Sequence, residues 1–334
     1  MMDVLGTKAG DIEVYSIDEA FLQLLSTTPD YIQWGQDIKA IVWQTIGMPV
    51  CVGIAPTMTL AKLANRVAKK VPRLRGVCAL DTIERREWVL QRIVTKDVWG
   101  IGGRIAARLS EMGIHTGLDL IRTDPKHLRK HFSVVLERTV RELNGEPCTP
   151  LELQPSPKQE ILCSRSFSHK ITDIGELQEA IASYAARACE KLRAQNSLTS
   201  TLRVFVEANR FKGAYYGNQR IMKLDHLTND TRMIASAARE AITAMYKRGV
   251  PFHKCGIGLL DLRESRPEQL NFFSGYQSEK SQILMSALDS VNRRWGRGTL
   301  QLASQGLHPQ WRMSRNMLSP SYTTKWTDIP QVRC

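Results

Sequence analysis

The sequence predicts a multidomain α+β protein, and three observations carry that expectation. Its 334 residues, 43% hydrophobic and 24% charged, suffice for two or three ordinary cores and exclude full-length disorder or a collagen-like chain. Short β-branched runs alternate with stretches of helical spacing both before residue 80 and after residue 160, with an all-helical pattern between them. Pro147, Pro150, Pro155 and Pro157 crowd together and mark the linker, 151–159.

Each element follows from local chemistry. Residues 12–17 are rich in β-branched and aromatic side chains and read as a strand, residues 20–25 as its return partner, with Asp18-Glu19 at the reversal. Neighbouring side chains on a regular strand point to opposite faces, so adjacent carboxylates serve one site only where the strand ends or bends. A turn permits that. Ile38, Ile41, Val42 and Thr45 predict a helix, 50–54 a buried strand, and 59–70 a second helix with Leu60, Leu63, Ala64 and Val67 on one side and a basic end at Lys69-Lys70. From about Trp88 the pattern changes to short helices joined by glycines. Gly100-Ile101-Gly102-Gly103-Arg104 leads into Ile105, Leu109 and Met112, and a single helix is expected from Asp124-Pro125 through Leu128, Phe132, Leu136 and Val140 to Leu143. After the linker, 160–167 reads as a strand, 177–192 as a helix and 200–208 as a strand, in a second α+β domain that closes near Leu262. One helix is expected in the tail, on Leu284, Leu288, Val291 and Trp295, before the chain turns polar.

Charge and cysteines narrow the partners. The net charge of +13 points to a polyanion, yet Asp3, Asp11, Glu13, Asp18, Glu19 and Asp30 against Lys8 alone give −5 in the first thirty residues, so +18 falls on the rest. Seven cysteines, never in a C-x-x-C pair, indicate neither a disulfide framework nor a zinc knuckle. With no basic-then-apolar leader and no long apolar run, the expectation is a soluble cytoplasmic protein without a membrane segment.

Four groups of residues invite chemistry, and each has a plainer alternative. Asp18 and Glu19 offer the hard oxygens a divalent cation such as Mg²⁺ prefers, or form a solvated turn. Gly100, Gly102 and Gly103 with Arg104 resemble a helix-hairpin-helix whose amides hold a nucleic-acid phosphate, or form an ordinary interhelical turn. Gln269-Leu270-Asn271-Phe272-Phe273, between Pro267 and Gly275, suits a docking peptide with two aromatic anchors, or folds back on the preceding domain. Lys62 and Lys69, two helical turns apart, share a face towards phosphates, or merely solubilise the helix.

Taken together, Tyr15-Ser16-Ile17-Asp18-Glu19-Ala20-Phe21, Gly53-Ile54-Ala55-Pro56-Thr57, Leu60-Ala61-Lys62-Leu63-Ala64-Asn65 with Lys69, and Val98-Trp99-Gly100-Ile101-Gly102 resemble the Y-family translesion DNA polymerases of the UmuC type. The likeness continues through 131–143, Cys163-Ser164-Arg165-Ser166-Phe167 and Leu318-Ser319-Pro320, so it spans nearly the whole chain. It implies a palm at 1–82, a helical thumb at 83–150, a little finger at 160–262 and an extended C-terminal region at 263–334. It further implies that Asp18 and Glu19 are catalytic metal-binding carboxylates and that Lys69 meets the incoming triphosphate. Gly100, Gly102, Gly103, Arg104 and Arg165 would touch DNA, and Gln269, Leu270, Phe272 and Phe273 would dock on the sliding clamp. Primer-template DNA, the clamp, a UmuD-type dimer and RecA are the implied partners, in synthesis past damage during the SOS response.

In that family a first palm strand with a further metal-binding Asp, and the fingers, precede the Ser-Ile-Asp-Glu motif. The resemblance therefore implies an N-terminal truncation or a misassigned start, an incomplete two-ion Mg²⁺ site, and no polymerisation by this chain alone. Two further readings stand beside the enzyme: a remnant that binds DNA and the clamp without catalysis, and a helix-hairpin-helix nuclease, which the scarcity of clustered acids disfavours.

Overall fold

A computed structural model describes residues 1–24, 30–154, 156–208, 215–265, 277–307, 309–313 and 317–332. The chain divides into Met1–Pro155 and Ser156–Cys334.

In the first unit α1 (Met2–Gly6) precedes a hairpin of β1 (Ile12–Val14) and β2 (Ala20–Leu22), antiparallel with Ile12 opposite Leu22 and Val14 opposite Ala20. Asp30 caps α2 (Tyr31–Ile46) by accepting from the Ile32 and Gln33 amides, and Gly47 ends it in the left-handed region at φ 66°. β3 (Val52–Ile54), α3 (Met58–Lys70) and β4 (Val77–Ala79) follow, β4 lying parallel to β3. The sequence leads one to expect one α/β sheet here. Among the described residues β1 instead pairs only with β2 and β3 only with β4.

The position of α3 depends on one glycine. A Cβ at Gly53 would collide with the Asn65 amide nitrogen and the Ala61 carbonyl oxygen, so the helix backbone rests directly on β3. Its apolar face, Leu60, Leu63 and Ala64, enters one core with Leu90 of α4 (Ile83–Leu90), Leu109 of α5 (Gly103–Glu111), Leu120 of α6 (Gly117–Arg122), Leu128 of α7 (Pro125–His131) and Leu136 and Val140 of α8 (Val134–Leu143). The helical segment thus shares its core with α3. The single helix expected from residue 125 to 143 is two, because Phe132 leaves helical geometry (ψ −96°) and Ser133 is extended. Phe132 packs against the shared core, and the Arg108 guanidinium lies 4.5 Å from its ring.

The second unit is a five-stranded antiparallel sheet. Its path is β5 (Ile161–Ile171), β8 (Phe252–Leu260), β6 (Ser197–Ala208) and β7 (Gly217–Thr228), with β9 (Arg263–Glu264) beside the start of β6. Helices α9 (Ile174–Ala194) and α10 (Thr231–Met245) pack through Ile181, Ala185, Ala238 and Ile242 on Leu202, Val204, Cys255 and Ile257. Period-two alternation in β6 sends Leu202, Val204 and Val206 inward and Arg203, Phe205 and Glu207 outward.

The tail carries the helix expected in it. α11 (Glu279–Trp295) is tied down by a two-point ion pair from Arg193 to Asp289, 2.6 and 2.7 Å, and by the Ser281 hydroxyl donating to Asp230. It buries Ser281 and Met285 and half-buries Leu288 and Val291, whereas Leu284 and Trp295 stay 43% and 67% exposed. Polar anchors on the neighbouring face decide the helix's rotation. Further on, Trp311 is buried against Phe167 and Tyr184.

Asp230, which also caps α10, joins these elements. Burial opposes its ionisation, but hydrogen bonds from Arg232 and Ser281 outweigh that and hold its carboxyl below the ordinary aspartate range. A depressed folded value stabilises above the unfolded value and is lost as pH falls through the folded one. Asp230→Asn is expected to lower unfolding free energy by about 1–3 kcal/mol at pH 7 in denaturant titrations. The difference from wild type should shrink below about pH 4.

Candidate active site

The hairpin between β1 and β2 turns at Ile17 and Asp18. The Ser16 amide donates to the Glu19 carbonyl at 3.0 Å, closing the turn, and the Ser16 hydroxyl donates to Asp18 Oδ1 at 2.6 Å. Ser16 thereby fixes the Asp18 side chain. Because the ladder ends here, both carboxylates are exposed and both line one cleft of 380 Å³ between β2 and β3. Its apolar walls include Phe21, Ile38 and Ile54, and Lys62, Asn65 and Lys69 reach it from α3.

The two lysines reach this cleft from one face of α3 in different surroundings. Lys69 is exposed at the basic end of α3. Lys62 is mostly covered and bonds Glu19 Oε2 at 2.8 Å, its side chain 20% exposed against 47% for Glu19. Asn65 donates to the Cys51 carbonyl at 2.7 Å, a second tie between α3 and the cleft wall.

An aromatic corner stands behind this pair. The rings of Tyr15 and Trp99 meet edge to face at 5.6 Å, Phe21 lies 5.7 and 6.0 Å from them, and Trp99 Nε1 donates to the Tyr15 hydroxyl at 3.3 Å. The Lys62 ammonium sits 4.7 Å from the Tyr15 ring centre and 5.8 Å from that of Trp99. Sequence reasoning does not find this corner. Trp99 and Tyr15 lie 84 residues apart, and no periodicity links them.

Trp99 leads straight into the glycine hairpin. Gly100 has φ 86°, a conformation that favours glycine, and Ile101 is buried. Among the described residues an added Cβ at Gly102 or Gly103 would meet nothing within 4 Å, and no side chain caps α5. The fold leaves these first-turn amides open, with Arg104 exposed beside them. Arg108, by contrast, is engaged with the His131 carbonyl at 2.7 Å. Asp97, just before the hairpin, pairs with Arg66 of α3.

As oxygen donors Asp18 and Glu19 fit a hard divalent cation, each with one carboxylate oxygen bonded inside the chain. Among the described residues no third His, Cys, Asp or Glu joins them to make a metal-holding group.

In the second unit Arg165 is exposed on β5. It stands opposite Cys255 and shares the inward parity of Cys163 and Phe167, so it projects on the helix-bearing side. Burial pushes the Tyr184 phenol up, with Arg165 and Arg312 pulling it the other way. The opposite, open face carries Arg203, Phe205, Lys254 and Gln219 around a shallow pocket, with Lys254 5.6 Å from the Phe205 ring. The alternation in β6 was the available signal for it. Gln269, Leu270, Phe272 and Phe273 lie outside the described residues.

Comparison with known proteins adds three findings. The impB/mucB/samB family matches residues 1–66, its C-terminal domain matches residues 158–272, and a domain of unknown function matches residues 282–332. Protein UmuC of Salmonella typhimurium is 43% identical, with all of this chain and 80% of that protein covered. Protein SamB of Salmonella typhimurium is 41% identical over 96% of this chain and 77% of that protein. In fold the chain is similar to a Y-family DNA polymerase chimera of Dbh and Dpo4, with TM-score 0.58, 20% identity, and 79% of this chain and 74% of that one covered.

The N-terminus of α3, which aims Lys62 and Lys69, is held by Glu142 of α8. Its carboxylate accepts from the Thr59 amide at 3.0 Å and from the Thr59 hydroxyl, and its carbonyl accepts from the Thr57 hydroxyl at 2.9 Å. Glu142→Ala is expected to lower unfolding free energy by about 2–3 kcal/mol, and Glu142→Gln, which keeps an acceptor, by less. Thermal or urea unfolding of the two variants checks this order.

Proposed function

The chain belongs to the impB/mucB/samB family, and from that premise we propose that it is a UmuC-type, error-prone translesion DNA polymerase subunit, transferring nucleotides past damaged template in the SOS response. The observation that carries the reading is the hairpin tip, where Asp18 and Glu19 share one cleft with Lys69. In this reading they contribute ligands for a divalent cation, Mg²⁺, which when bound neutralises charge at the transferring phosphate. Lys69 meets the triphosphate of the incoming nucleotide.

The amides of Gly100, Gly102 and Gly103, with Arg104, hold primer-template backbone without reading sequence. In the second unit Arg165, exposed on β5, and Arg203 and Lys254 on the opposite sheet face offer cations to nucleic-acid phosphate. The division into palm at 1–82, thumb at 83–150, linker at 151–159, little finger at 160–262 and C-terminal region at 263–334 belongs to the same proposal. So do the clamp peptide at Gln269, Leu270, Phe272 and Phe273, a UmuD-type dimer and RecA as partners of the tail, and a cytoplasmic place of work. Among the described residues no helix is long and apolar enough to cross a membrane.

A second reading concerns these 334 residues by themselves. Since the described residues bring only two carboxylates together at the cleft, this polypeptide is expected to bind primer-template DNA without extending it. The catalytic reading is tested in a chimera in which residues 1–334 replace the matching part of the Salmonella UmuC. Primer extension past an abasic site should be retained there and lost in Asp18→Asn and in Glu19→Gln; synthesis that survives both changes contradicts it.

For the hairpin, Gly102→Val and Gly103→Val are expected to leave the melting temperature unchanged. They should weaken primer-template binding about fivefold by fluorescence anisotropy, with a shallower salt dependence. Phe272→Ala with Phe273→Ala should abolish clamp binding in pull-down and leave DNA affinity intact.

A further inference from the structure

Lys62 occupies a place that neither the helix nor the core requires. Its stem leaves α3 towards the hairpin, its ammonium bonds Glu19 Oε2 at 2.8 Å, and the rings of Tyr15 and Trp99 stand 4.7 and 5.8 Å from the same nitrogen. Glu19 is the exposed partner of the two, and it opens on the cleft. The cation therefore has two sets of partners, a carboxylate that a metal ion also wants and an aromatic corner that no metal ion competes for.

We propose that Lys62 is a positioning residue that holds Glu19 in the absence of a divalent cation and yields the carboxylate when one arrives, its ammonium remaining over Tyr15 and Trp99. The proposal rests on reading Asp18 and Glu19 as cation ligands and adds a resident competitor to that site. The ammonium supplies one positive charge at the Glu19 oxygen, so the carboxylates do not face each other uncompensated before the ion binds. A divalent ion held by Asp18 and Glu19 would offer the carboxylate more charge than Lys62 does, and Lys62 would then release Glu19 while keeping its place over the two rings. Trp99 directly precedes Gly100, so the corner that receives Lys62 is built partly by the start of the glycine hairpin.

The test is a Tb³⁺ titration of the 334-residue protein, read by emission sensitised through Tyr15 and Trp99, with the Asp18→Asn, Glu19→Gln double variant defining the component that depends on the two carboxylates. In Lys62→Met that component is expected to tighten about two- to fivefold, the range of a partly exposed ion pair, and in Lys62→Arg to stay at the wild-type value. A carboxylate-dependent component that is unchanged or weaker in Lys62→Met overturns the proposal and leaves the ligand reading standing. No carboxylate-dependent component in the wild-type protein overturns both. A second measurement needs no variant: saturating Mg²⁺ is expected to raise acetic anhydride labelling of Lys62 relative to the other lysines, followed by peptide mass spectrometry. Unchanged labelling in the presence of carboxylate-dependent Tb³⁺ binding also overturns the proposal.

Discussion

The contact between α3 and β3 at Gly53 governs the first unit. A helix backbone that rests on a strand without an intervening side chain has its distance and rotation fixed by covalent geometry instead of by packing of flexible groups. From that one placement follow the burial of Leu60, Leu63 and Ala64 in the helical core, the reach of Lys62 to Glu19, and the arrival of Lys69 at the cleft. Glu142 at the helix start and Asp97 beside Arg66 then hold α3 to the elements around the glycine hairpin. The carboxylate turn, the basic helix and the hairpin are thus arranged about one element, which is the geometry a site needs if its groups are to act together.

The second unit solves a different problem with similar economy. Its sheet is covered on one side by α9 and α10, which leaves the other side to present Arg203, Phe205 and Lys254. The region matched by a domain of unknown function joins the same unit, since α11 is anchored through Asp289 and Ser281 and Trp311 fills a place beside Tyr184. These anchors are polar at the helix and aromatic further on. The helix that hydrophobic spacing predicts there is present, and these anchors set which of its residues are covered.

What was legible in the sequence was local. The cap at Asp124, the turn at Asp18-Glu19 and the basic end of α3 follow from side chains acting within a few residues of themselves, and the structure has each of them. What was not legible depends on partners distant in the chain. β4 has only three residues and is a strand because β3 lies beside it; Phe132 breaks a helical pattern because the shared core takes its ring. Arg165, exposed on β5, lies on the helix-bearing side because strand parity is set by Cys163 and Phe167, and Lys62 differs from Lys69 because Tyr15, Glu19 and Trp99 converge on it.

Amide hydrogen exchange of Gly53→Ala tests the central claim most directly, that the seating of α3 on β3 sets the geometry of the carboxylate cleft. The account predicts that amides of α3 and of the shared helical core lose most of their protection while those of α9, α10 and the five-stranded sheet keep theirs. Protection of α3 at the wild-type level in Gly53→Ala would contradict it.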